Sequence, residues 1–567
     1  MQVHKVKKYI YQVLHVLPAV FMIWLTVQPV EMRWAEADVW LSLGLPIMGG
    51  LCLLAILCSS ERCRFTVTDG LVTAWTLYYL GRVWVGAEYP CAKEWLQTME
   101  VAVMYAVLRM LFHGTKVQSW MLCAGIMLAG CYEAIIGVSQ LVAGQGRHHL
   151  FALTGTFQNP GPYSAYLMMA GVLAISPEPA SVMNRSRWRW LFCLPLLLLP
   201  ATWSRAALVG FGACALWICR AKYWKYRWVV WISLMVLGAG FYFLKRGSAD
   251  GRTLIWMATL TSWLHAPWLG VGIGGFCHAC AEGMAEMWHS FHDETMFASA
   301  GVTDYAYNSL IKILAEQGIA GASLCVSVTS IAMWRLRKVS KPLFMSMLSL
   351  LVFSMFSYPF ELLPYKIILV MVVAWSESKQ GDTLCFRMGR TSSSLACTAS
   401  IAVGIYLYGE TSARNQIDKE TMLFSSMHNA AFIDDYYELM PYETGNPHFL
   451  FDFAKTLRED KRYRDSNAIL RQGTLVSADP MFYIIMGNNY RDEQYYDLAE
   501  EAYMKAFAVM PNRLYPLYQL MLLYEESGEK KKCEETARRV MWMKPKVESP
   551  ATRDMQRKAS ERLTPAI

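Results

Sequence analysis

Apolar stretches of roughly the twenty residues a helix needs to cross a bilayer recur from the N-terminus to Gly409, separated by short polar breaks. They predict about thirteen spans, near 10–28, 39–58, 66–86, 95–112, 117–142, 163–176, 187–203, 205–220, 227–244, 309–334, 342–358, 361–377 and 394–409. Pro160, Pro162, Pro177 and Pro179 interrupt the sixth and seventh of these. Two long polar stretches break the rhythm, an insert over 245–308 and everything after Gly409. The pattern therefore predicts an all-α chain: a polytopic membrane domain of about 12–13 transmembrane helices over 1–409 and a soluble helical tail over 410–567.

Charge sharpens this division. The 567 residues are 54% hydrophobic and 17% charged with a net charge of +8, but residues 1–409 hold 31 basic and 20 acidic residues, whereas 410–567 hold 22 and 25. A composition shift of this kind marks a domain boundary. The membrane part rules out a soluble enzyme, a secreted disulfide scaffold and a nucleic-acid-binding domain. Most of the 15 cysteines, Cys52, Cys123 and Cys214 among them, fall within apolar spans and act there as small hydrophobes. Basic residues cluster in alternate loops, as in Arg62/Arg64, Arg185/Arg187/Arg189, Arg220/Lys222/Lys225/Arg227 and Arg335/Arg337/Lys338/Lys341, and Lys5, Lys7 and Lys8 precede the first span. Cytoplasmic loops retain Lys and Arg, so the N-terminus is expected in the cytoplasm, with the 245–308 insert and the tail on the opposite face. The first apolar segment is long and lacks an A-x-A cleavage site, and it reads as a retained helix.

The tail carries a repeat. Counting back from Pro511 as position 32 of a tetratricopeptide unit puts Gly487 at 8, Tyr490 at 11, Ala499 at 20, Tyr503 at 24 and Ala506 at 27. These are positions where two helices cross and must be small or aromatic. Pro480 and Pro545 mark neighbouring, less regular units, so 449–545 is read as about three helical hairpins of an α-solenoid. An unrelated helical bundle is the alternative.

Ionisable groups at membrane depth are costly and usually face a cavity or a partner. Arg82, Glu100, Glu133, Arg205 and Glu361 are the candidates, of which Arg82 and Glu100 lie near span ends, where snorkelling suffices. Arg205, in Pro200-Ala-Thr-Trp-Ser-Arg-Ala-Ala207, sits on the outer face, where the charge bias disfavours it, and a guanidinium there can fork onto phosphate oxygens. On the same face lie Gly155-Thr-Phe-Gln-Asn-Pro-Gly-Pro162, whose irregular backbone suits a cavity wall, and Gly251-Arg-Thr-Leu-Ile-Trp256. Pro267-Trp-Leu-Gly-Val-Gly-Ile-Gly-Gly275 has no preceding strand and lies on the side without ATP, which excludes a nucleotide loop. A fourth segment, Asp304-Tyr-Ala-Tyr-Asn-Ser-Leu310, opens the tenth span. His289-x-x-His292-Asp-Glu294 lacks a zinc signature and reads as a solvated loop, so no metal is expected, while Cys277-x-x-Cys280 can close a small disulfide.

In order, spacing and sidedness these segments resemble the O-antigen ligase and polymerase superfamily of bacterial membrane glycosyltransferases over roughly 118–378. Gly155-Thr-Phe-Gln-Asn-Pro160 resembles the family's G-T-F-x-N-P element, and Ser204-Arg205 its S-R pair. Arg252 resembles the Arg that opens the large periplasmic loop, and Tyr307-Asn308 with Gly318 and Gly321 has the spacing of H-N-x9-G-x2-G. Glu133 to Gln140 is similar to the span before the first motif. The resemblance implies a GT-C-like fold in the bacterial inner membrane. It implies transfer of a glycan from an undecaprenyl diphosphate-linked donor to an acceptor hydroxyl on the periplasmic side, in lipopolysaccharide or polysaccharide assembly, with no nucleotide sugar and no cofactor or catalytic metal. Arg205 and Arg252 take the family's donor-diphosphate role, Tyr307 and Asn308 the catalytic position, and Gln158 and Asn159 line the cavity. Tyr307 stands where the ligases carry a His proposed to activate the acceptor. A phenol with an ordinary pKa near 10 is a poor base at neutral pH unless arginines lower it. Otherwise Tyr307 only positions the acceptor, and another group, with His289, His292, Asp293 and Glu294 as candidates, takes the proton.

Three acceptors stay open: a lipid A core sugar, a second lipid-linked repeat unit as in a polymerase, or a protein hydroxyl as in an O-oligosaccharyltransferase. The exchange of Tyr for His weakens the first, and a repeat surface suited to a periplasmic protein partner raises the third. From other classes, a lipid-linked glycan transporter lacks the matched broken helices of an inverted repeat, and a scaffold leaves Arg205, Arg252 and Asn308 without a purpose.

Overall fold

The computed structural model describes residues 16–27, 36–58, 64–84, 92–113, 117–146, 151–157, 159–176, 193–244, 246–379, 384–425 and 430–563. The described residues are all-α apart from one short ribbon, and twelve of the thirteen expected spans fall on helix there, whereas of the seventh, 187–203, only Leu194–Leu198 and the single turn Pro200–Thr202 are helical among the described residues. In order these are α1 (Val16–Thr26), α2 (Ala37–Cys58), α3 (Val67–Trp84), α4 (Ala92–Leu111), α5 (Ser119–Ala143), α6 (Pro160–Ile175), α7 (Leu194–Leu198), α8 (Arg205–Tyr223) and α9 (Arg227–Leu244). The 245–308 insert adds α10 (Arg246–Trp263), α11 (Phe276–Phe291) and α12 (Glu294–Phe297). Then follow α13 (Ser309–Val339), α14 (Lys341–Ser354), α15 (Leu363–Ser378) and α16 (Arg390–Ser425). The ribbon pairs β1 (Arg64–Thr66) antiparallel to β2 (Leu384–Arg387).

Among the described residues three helices, α2, α5 and α13, are long and apolar enough on their own to cross a membrane. Bilayer-ready surface is nonetheless plain: Ile47 and Leu54 on α2, and Leu128 and Ile135 on α5, are large, apolar and exposed. Such faces are stable only against lipid or another protein.

At the end of the bundle where α13 finishes, a buried ionic network replaces apolar packing. Asp69 accepts from Tyr105 Oη at 2.6 Å, Arg109 Nε at 3.0 Å and Thr66 N at 2.7 Å. Arg335 pairs with Glu377, which also accepts from Thr66 Oγ1 at 2.8 Å. Buried charges are tolerated where each is paired and hydrogen-bonded, and this set ties α3, α4, α13 and α15 together.

Beyond the membrane part run α17 (Ile433–Glu443), α18 (Pro447–Glu459), α19 (Tyr463–Val476), α20 (Met481–Asp492), α21 (Tyr496–Val509), α22 (Leu514–Glu526), α23 (Lys530–Trp542) and α24 (Pro550–Leu563). Each helix of this series packs on the next. Gly487 lies where a Cβ would meet the Tyr503 ring at 2.5 Å, so a small residue there lets α20 and α21 approach.

The tail does not stand apart from the insert. Leu254, Met284 and Trp288 of the insert share one apolar core with Phe507, Val509 and Leu517 of the tail. Trp288 meets the Phe507 ring edge-on at 5.3 Å, Lys505 pairs with Glu282 at 2.7 Å, and Asn512 Nδ2 donates to Ala300 O at 2.8 Å. A common core requires both elements on one side of any bilayer.

Candidate functional site

Glu133 and Gln140 lie two turns apart on one face of α5, both buried. Glu133 accepts from Thr156 N at 3.0 Å and Thr156 Oγ1 at 2.5 Å. Gln140 accepts from Thr154 N and Gly155 N at 2.9 and 2.8 Å, and donates to Gly155 O at 2.8 Å. Together they satisfy the backbone of a non-helical segment, which buried peptide groups require. Gly155 has φ +58°, and a Cβ there would stand 2.4 Å from Glu133 Oε2, so the motif's Gly and the distant Glu serve one turn. Asn159 then caps α6, its Oδ1 accepting from Gly161 N at 2.8 Å. Gln158 lies outside the described residues.

The second segment ends likewise in a helix start. Trp203 holds a left-handed backbone (φ 51°), Ser204 Oγ accepts from Ala207 N at 3.4 Å, and Arg205 opens α8, which packs beside α6. Arg252 comes from α10, half-buried, and donates from Nη1 to Phe356 O at 2.7 Å. Its guanidinium lies 4.8 Å from the centre of the Tyr307 ring, a cation–π contact. Burial lowers the Arg252 pKa from its ordinary value. The Tyr307 and Tyr358 phenols oppose that shift, and the charge of Arg205 adds to it. Arg205 and Arg252, 47 residues apart in sequence, are thus close enough to repel.

Around them stands an aromatic group that sequence reasoning did not single out. Tyr305 and Tyr358 stack at 4.0 Å and 8°, and Tyr307 meets both edge-on, at 6.4 and 5.5 Å. Tyr307 is left-handed (φ 51°), as Trp203 is, and such strained backbone concentrates at functional sites. Burial raises the Tyr307 pKa above its ordinary value of 10.0, Arg252 opposes this, and Asp304 adds to it. The balance keeps the phenol protonated at neutral pH. Arg252 is thus in place, but desolvation outweighs it, so the condition under which the phenol would serve as a base is not met.

Asn308 caps α13, its Oδ1 accepting from Leu310 N at 3.0 Å and Ile311 N at 3.1 Å. With the oxygens of Asn159 and Asn308 committed to caps, each side chain has only its NH2 to offer a substrate. One turn on, Lys312 pairs with Glu361 at 2.8 Å, so the intramembrane Glu361 has its partner.

The glycine run of the insert has a structural purpose. At Gly318 (φ 64°, ψ −167°) α13 breaks, and the strap 267–272 fills the gap. Val271 N donates to Ala315 O at 2.8 Å and Gly272 N to Glu316 O at 3.1 Å, while Ile319 N and Ala320 N donate to Pro267 O and Trp268 O at 2.9 and 3.1 Å. Arg82 donates to Gly270 O at 3.1 Å, and buried Glu100 accepts from Thr411 Oγ1 at 2.6 Å. Neither snorkels as expected, because each has a partner within the fold.

Other expected groups lie elsewhere. The His292 ring lies 5.6 Å from that of Trp288, tilted by 47°, and Asp293 caps α12 through Thr295 N at 2.9 Å, hydrogen bonds from Thr295 holding its carboxyl below the ordinary value. No described contact joins His289, His292, Asp293 or Glu294 to Arg205, Arg252 or Tyr307. Cys277 and Cys280 are free thiols; Cys280 lies in the core shared with the tail.

Fold and site together define a helical membrane protein in which Arg252 and the rings of Tyr305, Tyr307 and Tyr358 form one patch at the insert. Residues 190–326 match the family model described as O-antigen ligase. The match takes in Arg205, Arg252, Tyr307, Asn308, Gly318 and Gly321, and ends outside the Gly155–Pro160 turn. No curated protein matches the chain. The family supports a glycan-transferring function for a membrane protein that handles glycans and lipid-linked substrates.

Proposed function

We propose that this chain is a glycosyltransferase of the bacterial inner membrane, taking a glycan from an undecaprenyl diphosphate-linked donor and joining it to an acceptor hydroxyl on the periplasmic side. The observation that carries this reading is the Arg252 guanidinium over the Tyr307 ring beside the Tyr305–Tyr358 stack, with the charge of Arg205 reaching Arg252. The forked, permanently charged groups bind the donor diphosphate and stabilise the charge it gains as the sugar C1–O bond breaks. The tyrosine faces give the glycan an apolar, hydrogen-bonding wall. Tyr307 stays neutral and positions a hydroxyl by hydrogen bonding. The acceptor's proton passes to a carboxylate, and Asp304, exposed and close enough for its charge to reach Tyr307 and Tyr305, takes that role.

The tail, in this reading, is a periplasmic tetratricopeptide-like domain over 410–567, and its core shared with the insert puts any bound protein beside the site. That favours a protein hydroxyl as acceptor over a lipid A core sugar or a second lipid-linked unit. The test is reconstitution of the full chain with undecaprenyl diphosphate-linked glycan and three acceptors offered separately: lipid A core, a second donor molecule, and a Ser/Thr-containing polypeptide. A mass increment on the polypeptide alone is expected. An increment on either of the others reassigns the acceptor, and donor crossing the bilayer with no product joined overturns the transferase reading in favour of a transporter.

A further inference from the structure

Away from this patch, a cavity of ≈ 20 Å³ lies between the starts of α2 and α4 and the outer part of α16. That is room for one water-sized group. Four carboxylates line it, Glu36, Asp38, Glu100 and Asp418, against two cations, Lys93 and Arg414. Most of these are already engaged: Lys93 holds Asp418 at 3.3 Å, Gln97 donates to Asp38 at 3.2 Å, and Arg414 donates to Tyr442 O at 3.2 Å. Glu100 is different. It is 1% exposed, Thr411 satisfies only its Oε1, and Oε2 is buried with no hydrogen-bond partner. Asn415 Oδ1, on the same cavity wall, is also buried without a donor. Two unfilled acceptors, in a cavity lined by more carboxyl groups than cations, call for a donor-rich group, because a buried carboxyl oxygen without a partner is costly.

Its level in the membrane narrows the choice. The cavity sits where α2 and α4 begin and α16 leaves the apolar bundle, and Trp24 and Trp40 meet edge-on at 6.0 Å at the same end. Tryptophans collect at the headgroup level of a bilayer. We propose that this cavity is a binding site for a primary ammonium group, supplied by an amino-phospholipid headgroup or by a free amine, with the N–H groups donated to Glu100 Oε2 and Asn415 Oδ1. A quaternary ammonium has no N–H to donate and exceeds the cavity.

The test uses the full chain in nanodiscs of phosphatidylethanolamine or of phosphatidylcholine, each with phosphatidylglycerol, and in detergent with ethanolamine added, reading lipid retention by native mass spectrometry and thermal stability. Phosphatidylethanolamine is expected to be retained about tenfold over phosphatidylcholine and to raise the melting temperature. Glu100→Gln, which keeps an acceptor for Thr411, should erase the preference, and Asn415→Ala should weaken it. A shift with ethanolamine alone supports the site and identifies a free amine as sufficient; a shift only with the lipid supports it and identifies the headgroup. Equal retention of the two lipids together with no ethanolamine effect, or a preference unchanged in both variants, overturns the proposal.

Discussion

Replacing Gly318 with Ala tests the joint between α13 and the strap most sharply. At φ 64° and ψ −167° the backbone occupies a region essentially reserved for glycine, and a side chain held there costs on the order of 1–3 kcal/mol. Space adds to the strain, since a Cβ would stand 2.3 Å from Trp268 O and 2.5 Å from Gly270 N. Both are backbone atoms, so no rotamer change relieves the contact. Moving the strap breaks the hydrogen bonds of Ile319 N and Ala320 N, each worth about 1 kcal/mol net. The sum is about 3–5 kcal/mol. Gly212→Ala is the control: it lies within α8 with no atom within 4 Å, and Ala there should stabilise the helix by up to about 1 kcal/mol. Differential scanning fluorimetry of the purified full chain should show a marked drop in melting temperature for Gly318→Ala and none for Gly212→Ala. Glycan transfer should fall with the first, because the strap holds the start of α13, and with it Tyr307, against α10. A Gly318→Ala protein that melts with the wild type would refute this reasoning.

Trp288→Ala removes a 5% exposed side chain wedged between Phe297 and Phe507 and should cost about 3–5 kcal/mol, read as faster proteolysis of both the insert and the tail; cleavage confined to the insert would disprove the shared core. Glu133→Ala leaves Thr156 N without its buried acceptor, a loss of about 1–3 kcal/mol, and hydrogen exchange should rise across 154–157. Because burial holds the Tyr307 phenol above its ordinary pKa, its proton is retained below that value and lost only as pH rises through the raised one. Tyr307→Phe should therefore lower transfer without changing the shape of the pH–rate profile between about pH 6 and 9, whereas loss of an inflection in that window would make the phenol a base after all. Asp304→Asn should lower transfer, and transfer at the wild-type rate would move the proton to another group.

Much of this was legible in the sequence because it rests on local pattern. Span positions follow from apolar length, and Gly155 and Gly318 stand at turns only glycine fits. The insert and tail were expected on one face from charge alone, and their common core agrees. What escaped the sequence depends on long-range pairing. Tyr305 and Tyr358, 53 residues apart, are two of 30 tyrosines, and nothing local marks their stacking. Lys312 and Glu361 each look costly alone and are accounted for only by their 2.8 Å contact. The glycine run 270–275 suggested a nucleotide loop in outline, but its backbone completes a broken helix, a use that depends on a partner 44 residues on. The Asn of two motifs, read as cavity-lining and catalytic, proved to cap helices, a signal that was present in the Asn-Pro-Gly and Asn-Ser-Leu sequences themselves.

The most direct test of the central claim is release of undecaprenyl diphosphate from a lipid-linked donor by the reconstituted protein, measured for wild type, Arg205→Ala, Arg252→Ala and the double variant. If one diphosphate bridges both guanidiniums, each single change should lower the rate by about 10²–10³-fold, and the double change should fall short of the product of the two. Release that survives either single change at the wild-type rate would contradict a shared diphosphate site.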